Sequence, residues 1–334
     1  MIKGMFNASL KTFGLLLAGL MAFSTNATVY RCTDPAGHLT LQDRACVPGT
    51  TLSGGSVDIR GAGSRQMLMW RVTGPQGSAW LVGSIHFGVP GMYPLPAAMT
   101  GAFQSAEVLV VEVDLTKLGP EDMAQAVAEE ALYPADKTLS QSLSPTAFQE
   151  LNKVLAEFDV PPSLVEHQKP WFVAMTLTTL ELRRFDFDEA LGIDNHFMNL
   201  ARGTKPIRAL EGFRQQLEFL NNFSAADQEA MLRETFEDLK KGRAFLAETV
   251  AAWQSGDTDK IDELMNRELR NGSAADRRMY QVLVVQRNHT MTDAIDQLLA
   301  HGGSYFVVLG AAHFVGDDGI VAALRRRGYH VEKY

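Results

Sequence analysis

The sequence predicts an α/β fold in which a central mixed sheet is flanked by helices and carries a large helical insertion. Apolar, valine-rich runs of strand length recur near both ends of the main region. Long stretches with helical spacing fill the middle of the chain. Strands that alternate with helices are typical of a layered α/β fold, because helices cover the faces of the sheet. A chain of 334 residues is long enough to bury a sizeable core.

The first 27 residues have the layout of a signal peptide. Lys3 and Lys11 supply positive charge, an apolar run covers 13–23, and small residues end at Ala27. A retained membrane anchor is the alternative, but the run is shorter than the roughly 20 residues that span a bilayer. We therefore expect a periplasmic or secreted protein with residues 1–27 removed. No later apolar stretch is long enough for a transmembrane segment.

Residues 28–48 are predicted to form a small β module, a strand, a Pro- and Gly-containing turn and a second strand. Cys32 and Cys46 are the only cysteines, and two cysteines this close usually pair in an oxidising compartment. The expected disulfide stabilises the module by about 3 kcal/mol in the chain-entropy model. The alternative, a metal site or catalytic thiol, has no supporting His-rich or CxxC context. A flexible Gly- and Ser-rich linker is predicted over 49–66.

The main domain is predicted over residues 67–334. It starts with a hairpin and a valine-rich buried strand, and a short strand separates two long helical stretches. A buried strand, an amphipathic helix ended by Gly328 and a last strand close the domain. The predicted strands are 67–72, 79–85, 106–114, 205–211, 304–310 and 329–334, and the helical stretches are 120–202, 212–300 and 318–328.

Two strand-loop units of the main domain resemble each other. WLVGSIHFG (80–88) and FVVLGAAHFVG (306–316) share a strand, a Gly, two small or apolar residues, a His and a Phe. We take this as a hypothesis of ancient duplication, with the two units meeting across a pseudo-twofold axis. Gly83 and Gly310 lack a Cβ, so each turn can adopt unusual φ and ψ angles and aim the following imidazole over the sheet edge.

Four predicted strands end next to a His or a carboxylate. Ligands of open α/β sheets bind beyond the carboxyl ends of the strands, so these side chains are the first candidates for chemistry. A lone His at a strand end is usually solvated or hydrogen-bonded, but two in matched Gly-x-x-His settings favour a shared function. The candidates at the strand ends are His86, Glu112, Asp114, Glu211 and His313.

The acids among these candidates also have structural explanations. Glu112 ends a buried strand, so it must be paired with an arginine, hydrogen-bonded or metal-bound, because an isolated buried charge is costly. Asp114 shares the face of Glu112 only if the strand continues that far. Glu211 precedes Gly212 and a helical run, where an acid also favours a helix N-terminus.

Arg287 and Asn288 lie within the helical pattern at 279–300. A charged residue on a helix usually belongs to a solvated face, but this helix is apolar around Arg287. An inward arginine needs a partner, and the substrate or Glu112 would serve. Ser84 is rejected as a nucleophile, because GSIH lacks the glycines that flank the Ser of a hydrolase nucleophile elbow.

The net charge excludes one class of partner. The formal charge is −8, whereas sequence-independent binding to nucleic acids needs a basic surface. We find no nucleic-acid-binding motif either, so we expect no nucleic-acid partner.

Over roughly residues 67–334 the chain resembles the TraB/GumN family, which includes pheromone-shutdown proteins and the Tiki metalloproteases. The two Gly-x-x-His motifs and the acid between them carry most of the resemblance. Residues 28–48 are similar to a short domain of unknown function found in bacterial envelope proteins. The landmarks of the main domain are LVGSIHFGVPGMYPLP (81–96), VLVVEVDL (108–115), KPWFVAMTL (169–177), LGIDNHF (191–197), ALEGFRQQL (209–217), QRNHTM (286–291) and VVLGAAHFVGDDGIVAALRRRGY (307–329).

The resemblance implies a divalent-metal-dependent hydrolase of the peptidase type, acting on a peptide or another small envelope substrate. It makes His86, His313 and Glu112 the essential residues. Glu211 and the pair Arg287-Asn288 match further family positions. The wider superfamily also resembles erythromycin esterases, in which related histidines act without a metal.

The resulting mechanism is metal-assisted hydrolysis. His86, His313 and either Glu112 or Glu211 would bind one Mn, Co or Zn ion, and the remaining carboxylate would be the general base. Arg287 would bind a substrate carboxylate or stabilise the oxyanion. The first alternative is a metal-free esterase or amidase, with one histidine as the base and Glu112 orienting it. The second is a non-catalytic envelope protein that binds a peptide or saccharide.

Overall fold

The computed structural model of the protein describes residues 30–33, 39–42 and 67–334. The first two ranges are strands β1 (Tyr30–Thr33) and β2 (Leu39–Gln42), which pair antiparallel. The predicted signal peptide, the linker and Cys46 lie outside the described residues, so the Cys32–Cys46 disulfide stays a prediction. None of the helices in the described part of the chain is long and apolar enough to cross a membrane.

A six-stranded sheet organises the main domain, in the order β6-β5-β7-β4-β3-β8. β6, β5, β7 and β4 run parallel, whereas β3 pairs antiparallel with both β4 and β8. The predicted α/β class with a mixed sheet is therefore confirmed. The strands are β3 (Met69–Thr73), β4 (Gly77–Ser84), β5 (Val108–Val111), β6 (Ile207–Ala209), β7 (Gly303–Gly310) and β8 (His330–Lys333).

Helices fill the connections between the parallel strands, as the predicted helical insertion requires. Two π-helical turns, Glu263–Arg267 and Gln281–Gln286, interrupt the last long stretch. The helices are α1 (Ala97–Ser105), α2 (Pro120–Ala131), α3 (Leu139–Ser142), α4 (Pro145–Glu157), α5 (Pro170–Arg184), α6 (Ile193–Ala201), α7 (Phe213–Asn221), α8 (Ala225–Leu239), α9 (Gly242–Ser255), α10 (Thr258–Asp262), α11 (Glu268–Asn271), α12 (Ala274–Tyr280), α13 (Arg287–His301) and α14 (Ile320–Arg326).

Local sequence explains where several of these helices begin and end. Pro120, Pro145 and Pro170 are the first residues of α2, α4 and α5, where a missing N–H costs nothing and the fixed φ suits a helix. Gly256 ends α9 at φ 66°, a left-handed conformation that favours glycine. The long helical stretches predicted from spacing are therefore divided into shorter helices.

The core is built around β7. Phe306 and its three successors are fully buried, as in a parallel strand covered on both faces. Phe306 packs against Phe103 of α1 and Phe197 of α6, with ring centroids 5.4 and 4.6 Å away. β7 also pairs with β4 on one side and β5 on the other, so the centre of the sheet is rigidly held.

β5 is shorter than predicted, and this changes the position of Asp114. The strand ends at Val111, so Asp114 does not share a strand face with Glu112. Asp114 instead caps the 3-10 helix Leu115–Lys117 by accepting a hydrogen bond from the Thr116 N–H, and it pairs with Lys117 at 2.9 Å. Its role is local support of the loop after β5.

Candidate functional site

The carboxyl ends of the parallel strands bring the predicted site residues to one edge of the sheet. His86 follows β4, His313 follows β7, Glu112 follows β5 and Glu211 follows β6. All four side chains are buried, with at most 6% of their surface exposed. Along the edge their order is therefore Glu211, Glu112, His313, His86.

Gly310 lies at the point where the two histidines and Glu112 meet. A Cβ on Gly310 would lie 3.3 Å from His86 Nε2, 3.3 Å from Glu112 Oε1 and 3.5 Å from His313 Cδ2. The Gly310 N–H donates a hydrogen bond to Glu112 Oε1 at 2.6 Å. Glycine at this position therefore leaves the space that all three side chains approach.

Gly83 allows the two Gly-x-x-His loops to pack together. A Cβ on Gly83 would lie 3.1 Å from the Ala311 Cα, and the Gly83 carbonyl accepts a hydrogen bond from Trp253 Nε1 at 2.7 Å. The two motifs differ in local structure, because the second forms a 3-10 helix, Ala311–His313, whereas the first does not. The duplication stays a hypothesis.

Asp194, in the first turn of α6, positions His86. Its Oδ1 lies 3.2 Å from His86 Nδ1 and also accepts a hydrogen bond from Ser84 Oγ at 2.7 Å. Gly192 permits this approach, since a Cβ there would lie only 2.2 Å from the His86 carbonyl oxygen. The two atoms are in close contact without an aligned hydrogen bond. Because a carboxylate offers only lone pairs, the contact favours the neutral tautomer in which His86 Nδ1 carries the proton and Nε2 keeps its lone pair.

Asn288 positions His313 in the same way. His313 Nδ1 lies 2.6 Å from Asn288 Oδ1, and Asn288 Nδ2 donates to the Asp318 carbonyl at 2.9 Å. The bond to a carbonyl fixes which end of the amide is the donor, so Asn288 presents its oxygen to His313. His313 Nδ1 is therefore protonated and its Nε2 also carries a lone pair.

Both Nε2 atoms are buried and have no hydrogen-bond partner among residues 67–334. Burial, followed by the charge of Arg287, lowers the pKa of His313 well below its ordinary value. The pKa of His86 is raised overall. Burial alone would lower it, but the negative charges of Asp194 and Glu112 have the larger combined effect. His86 Nε2 therefore attracts a proton or another cation more strongly than His313 Nε2 does.

Arg287 joins the two acids at the other half of the edge. Its Nη2 donates to Glu112 Oε2 at 2.6 Å and to Glu211 Oε2 at 2.7 Å, and its Nε donates to Glu211 Oε1 at 2.8 Å. Gln216 of α7 donates to Oε2 of both acids, at 3.2 and 2.9 Å. We call these four residues the arginine cluster and His86 with His313 the histidine pair. The predicted pairing of Arg287 with Glu112 is present, and Glu211 shares it.

The two π-helical turns lie beside this site. Gln281–Gln286 ends immediately before Arg287 and Asn288, and both of these side chains point to the sheet edge. The other π turn contains Asn266, which donates to the Ala312 carbonyl at 3.1 Å. π turns are found frequently at functional sites, because the extra residue per turn redirects the side chains that follow.

The donor set at the histidine pair suits a divalent metal ion. Two imidazole nitrogens and Glu112 Oε1, 3.8 Å from His313 Nε2, are the mixed N and O ligands that Mn, Co and Zn accept. The described residues contain no group of three His, Cys, Asp or Glu side chains already drawn together as a metal cage. The fit therefore rests on the two unpartnered Nε2 atoms and the nearby carboxylate oxygen.

Asp194 and Gln216 were not among the residues selected from the sequence. A signal for Asp194 was present, because a buried histidine needs an acceptor for its second nitrogen and the LGID segment carries an acid. Gln216 had no comparable signal, since its role depends on how α7 packs over the sheet edge.

Comparison with known proteins gives a family for this architecture. The model of the TraB/PrgY/gumN family matches residues 68–333. A second model, for a domain of unknown function (DUF4124), matches residues 16–61. No solved structure matches the chain.

The curated relatives are distant in sequence but cover most of the main domain. The uncharacterized protein YbaP of Escherichia coli is 27% identical over 255 residues, which are 73% of this chain and 87% of YbaP. An uncharacterized protein of Treponema pallidum is 22% identical over 79% of this chain and 81% of its own length. A protein named Metalloprotease TIKI homolog, from Nematostella vectensis, is 21% identical over 76% of this chain and 64% of its own length. With a family model that covers nearly all of its main domain, the chain belongs to the TraB/PrgY/gumN family.

Proposed function

We propose that this protein is a hydrolase that uses a divalent metal ion at the carboxyl edge of its sheet to cleave a peptide or another small envelope substrate. One observation carries the proposal: two buried imidazoles, with polar groups beside Nδ1, place unpartnered Nε2 atoms around Gly310, where Glu112 Oε1 also lies. The predicted signal peptide supports a periplasmic or secreted location. The name of the Nematostella relative, a metalloprotease, supports the reaction class.

His86 Nε2, His313 Nε2 and Glu112 Oε1 would hold the ion. When bound, a divalent ion polarises a scissile carbonyl and lowers the pKa of a bound water. Charge also supports a cation here. Glu112, Glu211 and Asp194 are buried carboxylates at this edge and Arg287 is a buried cation, so negative charge is in excess when both histidines are neutral.

The remaining residues orient the ligands. Asp194 and Asn288 fix the ring orientation and tautomer of the histidines, as acceptors behind metal-bound imidazoles do. Arg287 and Gln216 hold Glu112 by Oε2, which leaves Oε1 directed toward Gly310 and the histidines.

The same geometry separates the roles of the two glutamates. Both oxygens of Glu211 are engaged by Arg287, and Gln216 holds one of them. Glu112, rather than Glu211, is therefore the better third ligand. As a general base, Glu211 would first have to be released from Arg287.

The experiment is metal binding and peptide cleavage by the full chain, with Zn²⁺, Mn²⁺ or Co²⁺ titrated after chelation. We expect about one ion per chain for the native protein, and none for a variant carrying His86→Ala and His313→Ala. Cleavage of a peptide library should stop with chelator and return with the ion. The matched control is His196→Ala, a half-buried imidazole on α6 that is outside the site.

A metal-free hydrolase is the second candidate, and the ion pair between Arg287 and Glu112 favours it. That pair already compensates the charge of Glu112 without a metal. His313 Nε2 would then take the proton of the attacking water as general base. No ion binding, together with undiminished cleavage in chelator, would select this candidate and overturn the first. No cleavage under any condition would favour the non-catalytic alternative.

A further inference from the structure

An apolar cavity of about 60 Å³ adjoins His86, on the β4 side of the site. Its floor is made by the two Gly-x-x-His loops, through His86 on one side and Ala311 and Ala312 on the other. Its walls come from α5, from Phe87 and Phe187, from α9, and from α10 with the π turn that follows it. Two of the wall residues on α9 are Phe245 and Leu246.

The cavity offers no free hydroxyl. Each of its three hydroxyl groups donates within the protein: Ser84 Oγ to Asp194, Thr178 Oγ1 to the Ala174 carbonyl and Thr249 Oγ1 to the Phe245 carbonyl. The carbonyl of Ala312, which is also at the wall, accepts from Asn266. Among the lining side chains, only His86 has unpartnered polar atoms, its two ring nitrogens. Away from His86, a polar or charged group would therefore lose its hydrogen bonds with water without replacement, at a cost that an apolar group does not incur.

We propose that this cavity receives an uncharged aliphatic side chain of the substrate, next to the bond that is hydrolysed. The inference rests on the proposed hydrolase function and deepens it. Position supports it, because the same two loops that present His86 and His313 form the cavity floor. Size supports it as well: engineered cavities that bind benzene measure about 150 Å³, so a cavity of about 60 Å³ suits an aliphatic rather than an aromatic group.

Ile85, in the loop after β4, and Phe245, in α9, are the lining residues that stay partly exposed. Leu246, the neighbour of Phe245 in α9, is buried and lines the same cavity. Because Leu246 lines the cavity, a change in the size of its side chain should change the size of the group that is accepted. This gives a residue at which specificity can be changed in both directions without touching His86 or His313.

The test is a library of peptides read by mass spectrometry, which reports the preferred residue at each position around the cleaved bond. We expect one position where Leu or Val is preferred over Glu and over Phe by about 10-fold or more, the range that a hydrophobic pocket gives per methylene. Leu246→Ala should shift this preference toward Phe, and Leu246→Phe should shift it toward Ala. The control Leu151→Ala, in the buried face of α4, should leave the preference unchanged.

The absence of any aliphatic preference would overturn the proposal. So would an unchanged preference in both Leu246 variants while their melting curves stay cooperative.

A second measurement separates the cavity from the reaction. If the protein cleaves nothing, N-acetyl-leucinamide is titrated into the full chain and followed by NMR, with N-acetyl-glutamate amide as the matched probe. Saturable binding of the leucine compound alone, lost in Leu246→Phe, would support the aliphatic cavity although the hydrolase proposal had failed. No binding to the native chain, or equal binding of both probes, would overturn the cavity proposal itself.

Discussion

The two halves of the functional sheet edge differ in how completely their buried polar groups are paired. At the ends of β5 and β6, each oxygen of Glu112 and Glu211 accepts a hydrogen bond from Arg287, Gln216 or the Gly310 N–H. At the ends of β4 and β7, His313 Nδ1 is hydrogen-bonded to Asn288, and His86 Nδ1 lies 3.2 Å from Asp194 Oδ1 without an aligned hydrogen bond. Neither Nε2 atom has a hydrogen-bond partner within the described part of the chain.

This difference separates scaffold from ligand site. An unpartnered buried nitrogen costs about 1–3 kcal/mol, so a pair of them is expected where a bound group supplies the missing partner. The two carboxylates of the arginine cluster are fully paired without a ligand, which fixes the position of Glu112, although Gln216 Oε1 has no hydrogen-bond partner within the described residues. The histidine pair is complete only with a ligand. The following predictions test this division, from the largest expected effect to the smallest.

Removing either histidine should abolish function and leave the fold intact. His86→Ala and His313→Ala should each lower kcat/KM by about 10²–10⁴-fold, because an acid-base or metal-binding group is lost. The free energy of unfolding, measured in urea, should fall by only about 1 kcal/mol, the ordinary cost of one substitution. His196→Ala should retain activity. Full activity in either site variant would remove the histidine pair from the mechanism.

Removing the arginine should instead destabilise the fold. Arg287→Met leaves Glu112 and Glu211 buried without their cation, so we expect a loss of about 3–5 kcal/mol in the free energy of unfolding, measured in urea. The triple variant that adds Glu112→Gln and Glu211→Gln to Arg287→Met should recover part of this lost free energy, because it removes the uncompensated negative charges. A loss below about 1 kcal/mol would show that the arginine cluster is not a scaffold.

Weakening the contact that positions the His86 ring should reduce ion affinity and activity by less than removing the ring does. Asp194→Asn weakens the acceptor beside His86 Nδ1. Substitution of an acceptor behind a metal-binding histidine typically lowers metal affinity or activity by about 10–100-fold. The measurements are ion affinity by calorimetry and kcat/KM on the same library peptide. Asp188→Asn, an exposed cap of the neighbouring 3-10 helix, is the control. If both variants behave alike, Asp194 does not position His86.

The sequence predicts the parts of this site that depend on local pattern. The apolar runs of β4, β5 and β7 identify buried parallel strands, and strands of that kind end at one edge, so His86, Glu112 and His313 could be placed together. The residues at which the strands end are harder to predict from the sequence. β5 ends at Val111 because the next carbonyl, that of Glu112, bonds the Glu211 N–H outside the strand ladder.

Other site residues cannot be predicted from the sequence, because their position depends on how helices pack against the sheet. Asp194 and Gln216 lie on α6 and α7, and only the packing of these helices against the sheet edge brings them to the histidine pair and the arginine cluster. The π turn at Gln281–Gln286 is equally invisible in the spacing of apolar residues. It sets the direction of Arg287 and Asn288, so their partners could be proposed from the sequence but not their geometry.

A third group of buried acids, around Glu234 of α8, provides the smallest and most independent test. Burial and neighbouring acids, rather than an arginine, are the largest influences on the pKa of Glu234. Burial, followed by Asp276 and Asp238, raises this pKa to about 10. The unfolded chain loses this proton near pH 4.5 while the folded chain keeps it, so this group makes the protein less stable as pH rises from about 4.5 toward 10.

Glu234→Gln removes that penalty, because glutamine cannot ionise. We expect the free energy of unfolding to rise by at least about 1 kcal/mol at pH 8, one pKa unit being worth about 1.4 kcal/mol, and the gain to vanish near pH 4. Glu211→Gln should have the opposite sign at pH 8, because it leaves Arg287 with one acid instead of two. Glu218→Gln, exposed on α7, should change neither. Equal signs for Glu234→Gln and Glu211→Gln would mean that pairing with Arg287 does not distinguish the two buried acids.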